Sequence, residues 1–99
     1  MEIRFTTSAL LDLEELRTYL QDLSPQGLNN VLTDIEATVY KIPDSAARGR
    51  KTPRDDVFEK ITPKYKYLIP YTVRDQTLYI LRVYHPSRRP LDYEELELD

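Results

Sequence analysis

The 99-residue chain contains no cysteine, no tryptophan and a single histidine. Without cysteine it can form neither a disulfide framework nor a thiolate nucleophile, and one histidine leaves no set of residues that resembles a zinc site. We therefore expect no bound metal and no cofactor. The composition also suits a reducing compartment, in which disulfides are rare.

Long apolar stretches are missing as well. No run approaches the roughly 20 residues that a membrane-spanning helix needs. The first ten residues, MEIRFTTSAL, lack the basic and then apolar pattern of a secretory signal. We expect a soluble, cytoplasmic protein without membrane association, organised as one domain over residues 1–99 in which residues 91–99 form an acidic tail.

Charge, by contrast, is abundant and segregated along the chain. Residues 1–40 carry two bases and seven acids, residues 41–90 carry twelve bases and five acids, and residues 91–99 carry five acids and no base. This asymmetry predicts a surface on the middle of the chain that attracts anions or acidic partners. For any single lysine or arginine, a solvated charge that maintains solubility is the simpler explanation.

The start of the chain is predicted to be a strand followed by a helix. Apolar and polar residues alternate over residues 2–6, which is typical of a strand. Leucines then recur at helical spacing and predict a helix over residues 8–22. Its N-cap is expected to be Thr7 or Ser8, because a hydroxyl can accept a hydrogen bond from a first-turn amide.

A second helix follows at once. Ser24 is a good N-cap and Pro25 suits the first helical position, so LSPQGL separates two helices that should pack as a hairpin. Pro43 ends the second helix. Residues 43–55 contain two prolines, a glycine and four bases, and we expect an exposed loop there.

Three strands are predicted in the second half, at residues 56–61, 65–73 and 77–84. The turn RDQ makes the last two a hairpin. Pro70 lacks an amide hydrogen and therefore indicates an edge position or a bulge. The run at 78–84 is almost entirely apolar, which predicts a strand that is buried on both faces and lies inside the sheet.

The order of elements is therefore one strand, two helices and three strands. Helices that precede a run of strands, instead of alternating with them, indicate an α+β fold. We expect a helical hairpin on one face of a mostly antiparallel sheet, which is built from the N-terminal strand and a three-stranded antiparallel meander, in the order β-α-α-β-β-β.

Several segments together resemble a known family: ALLDLEELRTYL, SPQGLNNVLTDIEATVYKI, GRKTPRD, YLIPYTV and ILRVYHPSRRP. They are similar to the ParE/RelE superfamily of type II toxin–antitoxin toxins, over residues 1 to about 90. The most specific segment is ILRVYHPSRRP, which resembles the family's last strand with its H-x-x-R ending. Within the superfamily the chain looks more like the ParE branch, also called plasmid stabilisation proteins.

This resemblance implies a toxin that a cognate antitoxin neutralises. ParE members inhibit DNA gyrase by binding to it, whereas RelE members cleave mRNA in the ribosomal A site. We expect a gyrase inhibitor that does not itself bind DNA. The alternatives are a metal-independent, ribosome-dependent mRNA endonuclease and a toxin-like fold without toxicity.

The candidate site residues differ between these functions. Contact with a protein target is expected from the bases of the loop and of the C-terminal segment, namely Arg48, Arg50, Lys51, Arg54, His85, Arg88 and Arg89. A nuclease would instead use Arg50, Arg82, His85 and Tyr93, which offer the cationic and acid–base groups that RNA cleavage needs. For Arg82 a structural role is an alternative, as an arginine paired within the fold, with Glu59 as a candidate partner.

The charge count favours the inhibitor. Residues 1–90 sum to only +2, and the whole chain to -3. A nuclease that works among ribosomal phosphates gains affinity from each phosphate that it neutralises, so a strongly basic protein would be expected. The dense set of bases that RelE toxins place on their sheet is also missing, since only Lys60, Lys64 and Lys66 are nearby.

Overall fold

The computed structural model describes residues 1–44 and 49–98. These described residues form two helices, five strands and, near the end, a single turn of 3-10 helix. Their order is β1 (Glu2–Phe5), α1 (Thr7–Leu23), α2 (Pro25–Lys41), β2 (Arg50–Lys51), β3 (Phe58–Ile61), β4 (Leu68–Arg74), β5 (Thr77–Ile80) and the 3-10 helix Tyr93–Glu95. Neither helix of the described residues has the length and apolar character to cross a membrane.

The strands form one mixed sheet in the order β1-β5-β4-β3-β2, in which β1 runs parallel to β5 and all other neighbours are antiparallel. The predicted α+β class and the order of the helices and of the long strands are confirmed. The sheet has one strand more than the sequence predicted. This extra strand, β2, lies inside the segment 43–55 that we expected to be a loop.

The two residues of β2 carry no periodic pattern, which is why the sequence did not predict the strand. Its approach to β3 depends on Gly49, because a Cβ atom at this position would collide with the backbone carbonyl of Glu59. The Gly49 N–H also donates to the hydroxyl of Tyr71 at 2.7 Å. The close contact therefore exists only once β3 and β4 are in place.

The main core lies between the helical hairpin and one face of the sheet. It is formed by Ala9, Leu16, Val31, Ile35, Val39, Ile42, Tyr67, Ile69, Tyr71, Leu78, Ile80 and Val83. The predicted interior position of the last strand is confirmed, because β5 lies between β1 and β4. The predicted hairpin before it is confirmed too, and its turn residues Asp75 and Gln76 both have positive φ, as a tight two-residue turn requires.

We call the other side of the sheet, which faces away from the helices, the outer face. Alternate residues of a strand point to opposite faces, so Val57, Glu59, Tyr79 and Leu81 lie on the outer face, whereas Phe58, Leu78 and Ile80 face the main core. Val57 and Leu81 form a second, smaller cluster there with Leu96 of the tail. The C-terminal residues therefore cover part of the outer face.

The predicted break between the helices is confirmed. Ser24 accepts a hydrogen bond from the Gly27 N–H at 3.0 Å through its side chain, and its own N–H donates to the Leu20 carbonyl at 2.8 Å. One residue therefore ends α1 and begins α2. The predicted N-cap of α1 was wrong: the cap is Thr6, whose hydroxyl accepts from the Ala9 N–H at 3.2 Å.

Thr6 was missed because its second contact is distant in sequence. Its hydroxyl donates to the Leu81 carbonyl at 3.0 Å, and the residue is only 1% exposed. Pro70 lies opposite Leu81 in β4, and its carbonyl accepts a hydrogen bond from the Leu81 N–H at 2.9 Å. Because proline has no N–H, Pro70 cannot donate to the Leu81 carbonyl, which therefore needs another donor. One side chain thus caps a helix and completes the sheet beside a proline.

The register of the last hairpin changes at the same place. Tyr71 pairs with Ile80, whereas the next bridge joins Leu68 to Tyr84, so the chain after β5 contains one residue more than the facing strand. This is the geometry of a β-bulge, one of the two outcomes predicted for Pro70. The edge position was the wrong alternative, since β4 is the central strand. The bulge also ends β5 at Ile80 instead of Tyr84.

The double role of Thr6 predicts a large effect of removing its hydroxyl. Thr6→Val keeps the shape of the side chain but leaves the helix start and the buried Leu81 carbonyl without a partner, so the free energy of unfolding should fall by about 2–3 kcal/mol. Thr6→Ser keeps the hydroxyl and should lose about 1 kcal/mol or less. Urea unfolding followed by circular dichroism measures both, and equal losses in the two variants would contradict the assignment.

Candidate functional site

The basic segment after β5, residues 82–90, lies against helix α1. Arg82 forms a bidentate ion pair with Asp12, with its Nε 2.6 Å and its Nη2 2.8 Å from the two carboxylate oxygens. The Val83 N–H donates to the same carboxylate at 2.9 Å. The Asp12 side chain is only 8% exposed, so this pair ties the end of the last strand to the first helix.

Hydrogen bonding to Asp12 raises the pKa of Arg82 above its usual value, against the opposing effect of burial. The structural alternative for Arg82 is therefore the one observed, but the partner suggested for it was wrong. Glu59 lies on the outer face of the sheet, whereas Asp12 on α1 lies beside the end of β5. The guanidinium also lies 5.0 Å from the centre of the Tyr84 ring, which further fixes its position.

A cavity of about 310 Å³ lies between α1 and this segment. Arg88 pairs with Glu15 across it at 3.0 Å, with both side chains more than half exposed. His85 is exposed and packs edge-on against Tyr67, with ring centres 5.1 Å apart. Its Nδ1 accepts from the Ser87 N–H at 3.0 Å, so the loop itself holds the imidazole.

The outer face carries a second group of polar residues, centred on Glu59. This carboxylate is 2% exposed. One of its oxygens accepts from Arg50 Nε at 2.5 Å, and the other accepts from the Tyr93 hydroxyl at 2.5 Å. Burial, followed by the hydrogen bond to Glu59, raises the pKa of Tyr93 to about 12. Tyr93 is therefore a hydrogen-bond donor at neutral pH.

Arg54 connects the same face to the tail. Its Nε and Nη2 bind Asp56 at 3.1 and 2.9 Å, and its Nη1 donates to the backbone carbonyls of Tyr93 and Leu96 at 3.0 and 2.7 Å. The hydrogen bond to Asp56 raises the pKa of Arg54. The hydrogen bond from Arg54 likewise lowers the pKa of Asp56. All three guanidinium nitrogens are thus used within the fold.

Comparison with known proteins identifies the family. The family model described as the ParE toxin of the type II toxin–antitoxin system parDE matches residues 3–90. The chain belongs to this family of toxins. Its fold is also similar to a solved chain from the chromosomal ParDE system of P. aeruginosa, with a TM-score of 0.74 and 22% identity over 86% of this chain and 95% of that one. No curated protein sequence gives a significant match.

The resemblance to ParE toxins that we inferred from ILRVYHPSRRP and the other segments is thereby confirmed. A toxin of a ParDE system has a cognate antitoxin as its partner, as the sequence also implied. At 22% identity the solved structure supports the fold alone, so the cellular target of this ParE-family chain has to be argued from its own residues.

The structure separates the four residues expected of a nuclease. Arg50 and Tyr93 meet at Glu59 on the outer face, whereas Arg82 is held by Asp12 and His85 lies over Tyr67 near α1. Two of these residues lie in each place. The structure therefore does not bring the four together in one constellation.

The residues expected to contact a protein target are also divided. Arg48 lies outside the described residues. Arg50 and Lys51 are neighbours in β2 and point to opposite faces of the sheet. Arg54 is occupied by Asp56 and the tail. Within residues 1–44 and 49–98, the side chains of Lys51 and Arg89 make no ion pair, and both residues are exposed.

Sequence reasoning missed the carboxylates that neutralise these bases. Asp12 and Glu15 lie three residues apart on α1 and therefore share a helix face, and this spacing was the only signal available. It gives no indication that the partners are Arg82 and Arg88, which are 70 and 73 residues away from Asp12 and Glu15, respectively. Glu59 was named only as a partner for the wrong arginine.

The two ion pairs on α1 should differ in strength. Asp12→Ala leaves a partly buried guanidinium and the Val83 N–H without an acceptor and should cost about 2–3 kcal/mol of unfolding free energy. Glu15→Ala, three residues along the same helix, removes an exposed pair and should cost less than about 1 kcal/mol. Thermal and urea unfolding of both variants tests this. A smaller loss for Asp12→Ala than for Glu15→Ala would show that Asp12 does not hold the segment.

The raised pKa of Tyr93 predicts a dependence of stability on pH. Because its pKa in the folded protein, about 12, exceeds the ordinary value near 10 of an unfolded chain, its stabilising effect is complete below about pH 10 and is lost as the pH rises to about 12. The difference in unfolding free energy between the wild type and Tyr93→Phe should therefore shrink over this range. A difference that stayed constant between pH 9 and 12 would contradict the raised pKa of Tyr93.

Proposed function

We propose that this chain is a cytoplasmic toxin that inhibits DNA gyrase by binding to it, without a chemical step of its own. Membership of the ParE family supports a toxin. The observation that favours inhibition over RNA cleavage is the separation of Arg50 and Tyr93 from Arg82 and His85. Inhibition would then depend on contact between the toxin surface and gyrase, so the basic residues that are not engaged within the fold are the ones we expect to bind the target.

Cleavage of RNA requires a base, an acid and a phosphate-binding cation around one scissile bond. Here Arg50 is neutralised by Glu59 and Arg82 by Asp12, each through short hydrogen bonds. Tyr93 donates its only proton to Glu59, and its raised pKa makes it a poor base at neutral pH. The arrangement offers little to a phosphate, which supports a protein-binding toxin.

The surface that we assign to the target is the exposed turn of residues 85–90. His85 is exposed there, and Arg89 is exposed and makes no ion pair within residues 1–44 and 49–98. Among the described residues, the one ion pair of Arg88 is the exposed pair with Glu15, which costs little to exchange for a new partner. We assign Arg54 and Arg82 to the fold, because Arg54 binds Asp56 and two backbone carbonyls and Arg82 forms a bidentate pair with Asp12. Lys51 is also an exposed base, but it lies in the edge strand β2, apart from the turn of residues 85–90.

The proposal predicts that Arg89→Glu lowers inhibition of gyrase supercoiling about tenfold, a loss of about 1.4 kcal/mol in binding. Stability should hardly change, because exposed charges contribute ~0–1 kcal/mol. Arg17→Glu is the matched control: it reverses an exposed base on α1 outside the turn and should inhibit like the wild type.

The decisive experiment places a supercoiling assay beside an mRNA cleavage assay on programmed ribosomes. Inhibition of supercoiling with intact mRNA is expected. Codon-phased cuts that disappear in Arg82→Ala and His85→Ala, with gyrase unaffected, would replace the inhibitor by a ribosome-dependent nuclease. An effect in neither assay, together with normal growth on expression, would indicate a toxin-like fold without toxicity.

A further inference from the structure

The two edges of the sheet differ in length and in charge. Among the described residues, β1 forms one edge and β2 the other. β2 has two residues, and both are exposed bases that would repel the same strand of another copy. β1 has four residues, which include one acid and one base, Glu2 and Arg4. Of these two edges, β1 is therefore the one that combines the length for strand pairing with charges of both signs.

The backbone groups at the free edge of β1 belong to Ile3 and Phe5. The Thr6 N–H donates to the Ile80 carbonyl of β5 at 3.1 Å. Backbone groups of successive strand residues point to opposite edges, so those of residues 2 and 4 face β5 as Thr6 does, whereas those of Ile3 and Phe5 face away from it. An edge of this kind can exchange hydrogen bonds with a further strand.

The charges of β1 favour one register for a second copy. In an antiparallel pair with two-fold symmetry, one residue lies opposite its own counterpart. If that residue is Glu2 or Arg4, like charges face each other, which is destabilising. If it is Phe5, the pairing extends to Thr7, where α1 has already begun. If it is Ile3, Glu2 of each copy faces Arg4 of the other.

The pairing about Ile3 also suits the geometry of an antiparallel sheet. Ile3 and its counterpart form a hydrogen-bonded pair, so the two Glu2–Arg4 pairs occupy the neighbouring positions without hydrogen bonds, where facing side chains are closest. The side chains of Glu2 and Arg4 are 57% and 60% exposed and thus accessible to a second copy. In the same register Met1, which is 65% exposed, faces Phe5 of the other copy.

We propose that β1 is a self-complementary interface, through which two copies of this chain pair antiparallel about Ile3 and join their sheets into one. The two-fold axis is perpendicular to the sheet, so both helical hairpins lie on the same side of it. Because each copy uses the same edge, the assembly closes at a dimer. The short strand buries little area, which places the dimer in the weak, transient class.

Reversal of one charge tests the register. Glu2→Arg and Arg4→Glu each place like charges opposite each other and should raise the dissociation constant of the dimer at least about tenfold, which is about 1.4 kcal/mol. Sedimentation equilibrium from micromolar concentrations to about 1 mM measures this constant. Lys51→Glu is the matched control: it reverses an exposed base at the other edge of the sheet and should dimerise like the wild type.

Two further samples distinguish cross-strand pairing from a general effect of charge. An equimolar mixture of Glu2→Arg and Arg4→Glu should form a heterodimer, because the acidic edge of one variant faces the basic edge of the other. The double variant Glu2→Arg/Arg4→Glu should dimerise like the wild type. Urea unfolding verifies that each variant is folded, and exposed charges should alter stability by only ~0–1 kcal/mol.

Three outcomes would overturn the proposal. They are a wild type that stays monomeric at about 1 mM, a dimer that the single reversals do not weaken, and a mixture that associates no better than its components. The first outcome would leave the edge of β1 to a strand of another protein or to solvent. Gyrase and ribosomes take no part in these measurements, so the result is independent of the proposed target.

Discussion

The missing N–H of Pro70 is the constraint from which the C-terminal half of the structure follows. Pro70 occupies the central strand of the sheet, where each residue normally exchanges hydrogen bonds with its neighbours. Its carbonyl accepts a hydrogen bond from the Leu81 N–H, but without an N–H it cannot donate one to the Leu81 carbonyl. The regular ladder between β4 and β5 therefore ends at Ile80. Thr6 supplies the missing donor from the start of α1.

The bulge that follows determines where the basic segment lies. One extra residue between Ile80 and Tyr84 changes the direction of the side chains after β5. Arg82 then meets Asp12 on α1 instead of a residue of the neighbouring strand. The chain leaves the sheet beside the helix, and the turn with His85, Arg88 and Arg89 is presented at its end.

Intramolecular neutralisation explains how an acidic protein can contain so basic a middle. The acids of α1 pair with Arg82 and Arg88, and Glu59 pairs with Arg50. The acidic tail lies back over the outer face next to Arg54. Charges that are segregated in sequence are thus interleaved in space. The electrostatic field outside the protein is therefore weaker than the charge runs suggest, which suits contact with a protein surface better than with a dense array of phosphates.

The sequence by itself determined whatever depends on neighbours a few residues apart. Helical spacing of leucines, the Ser24–Pro25 break and the apolar run of β5 each act locally, so the elements, their order and the α+β class were predictable. The segments of the C-terminal half were specific enough to indicate the ParE family. The bulge at Pro70 was predictable as one of two alternatives, because the loss of an amide hydrogen is a property of the residue itself.

Only the tertiary structure decided which distant groups meet. Arg82 and Asp12 are 70 residues apart, and Thr6 and Leu81 are 75 apart, so no local pattern links them. The two-residue strand β2 forms because β3 offers it a partner, and its pairing places Arg50 and Lys51 on opposite faces. The tail binds the outer face because Val57 and Leu81 are brought together there. Each of these contacts depends on several strands being in place at once, whereas a sequence pattern describes one segment at a time.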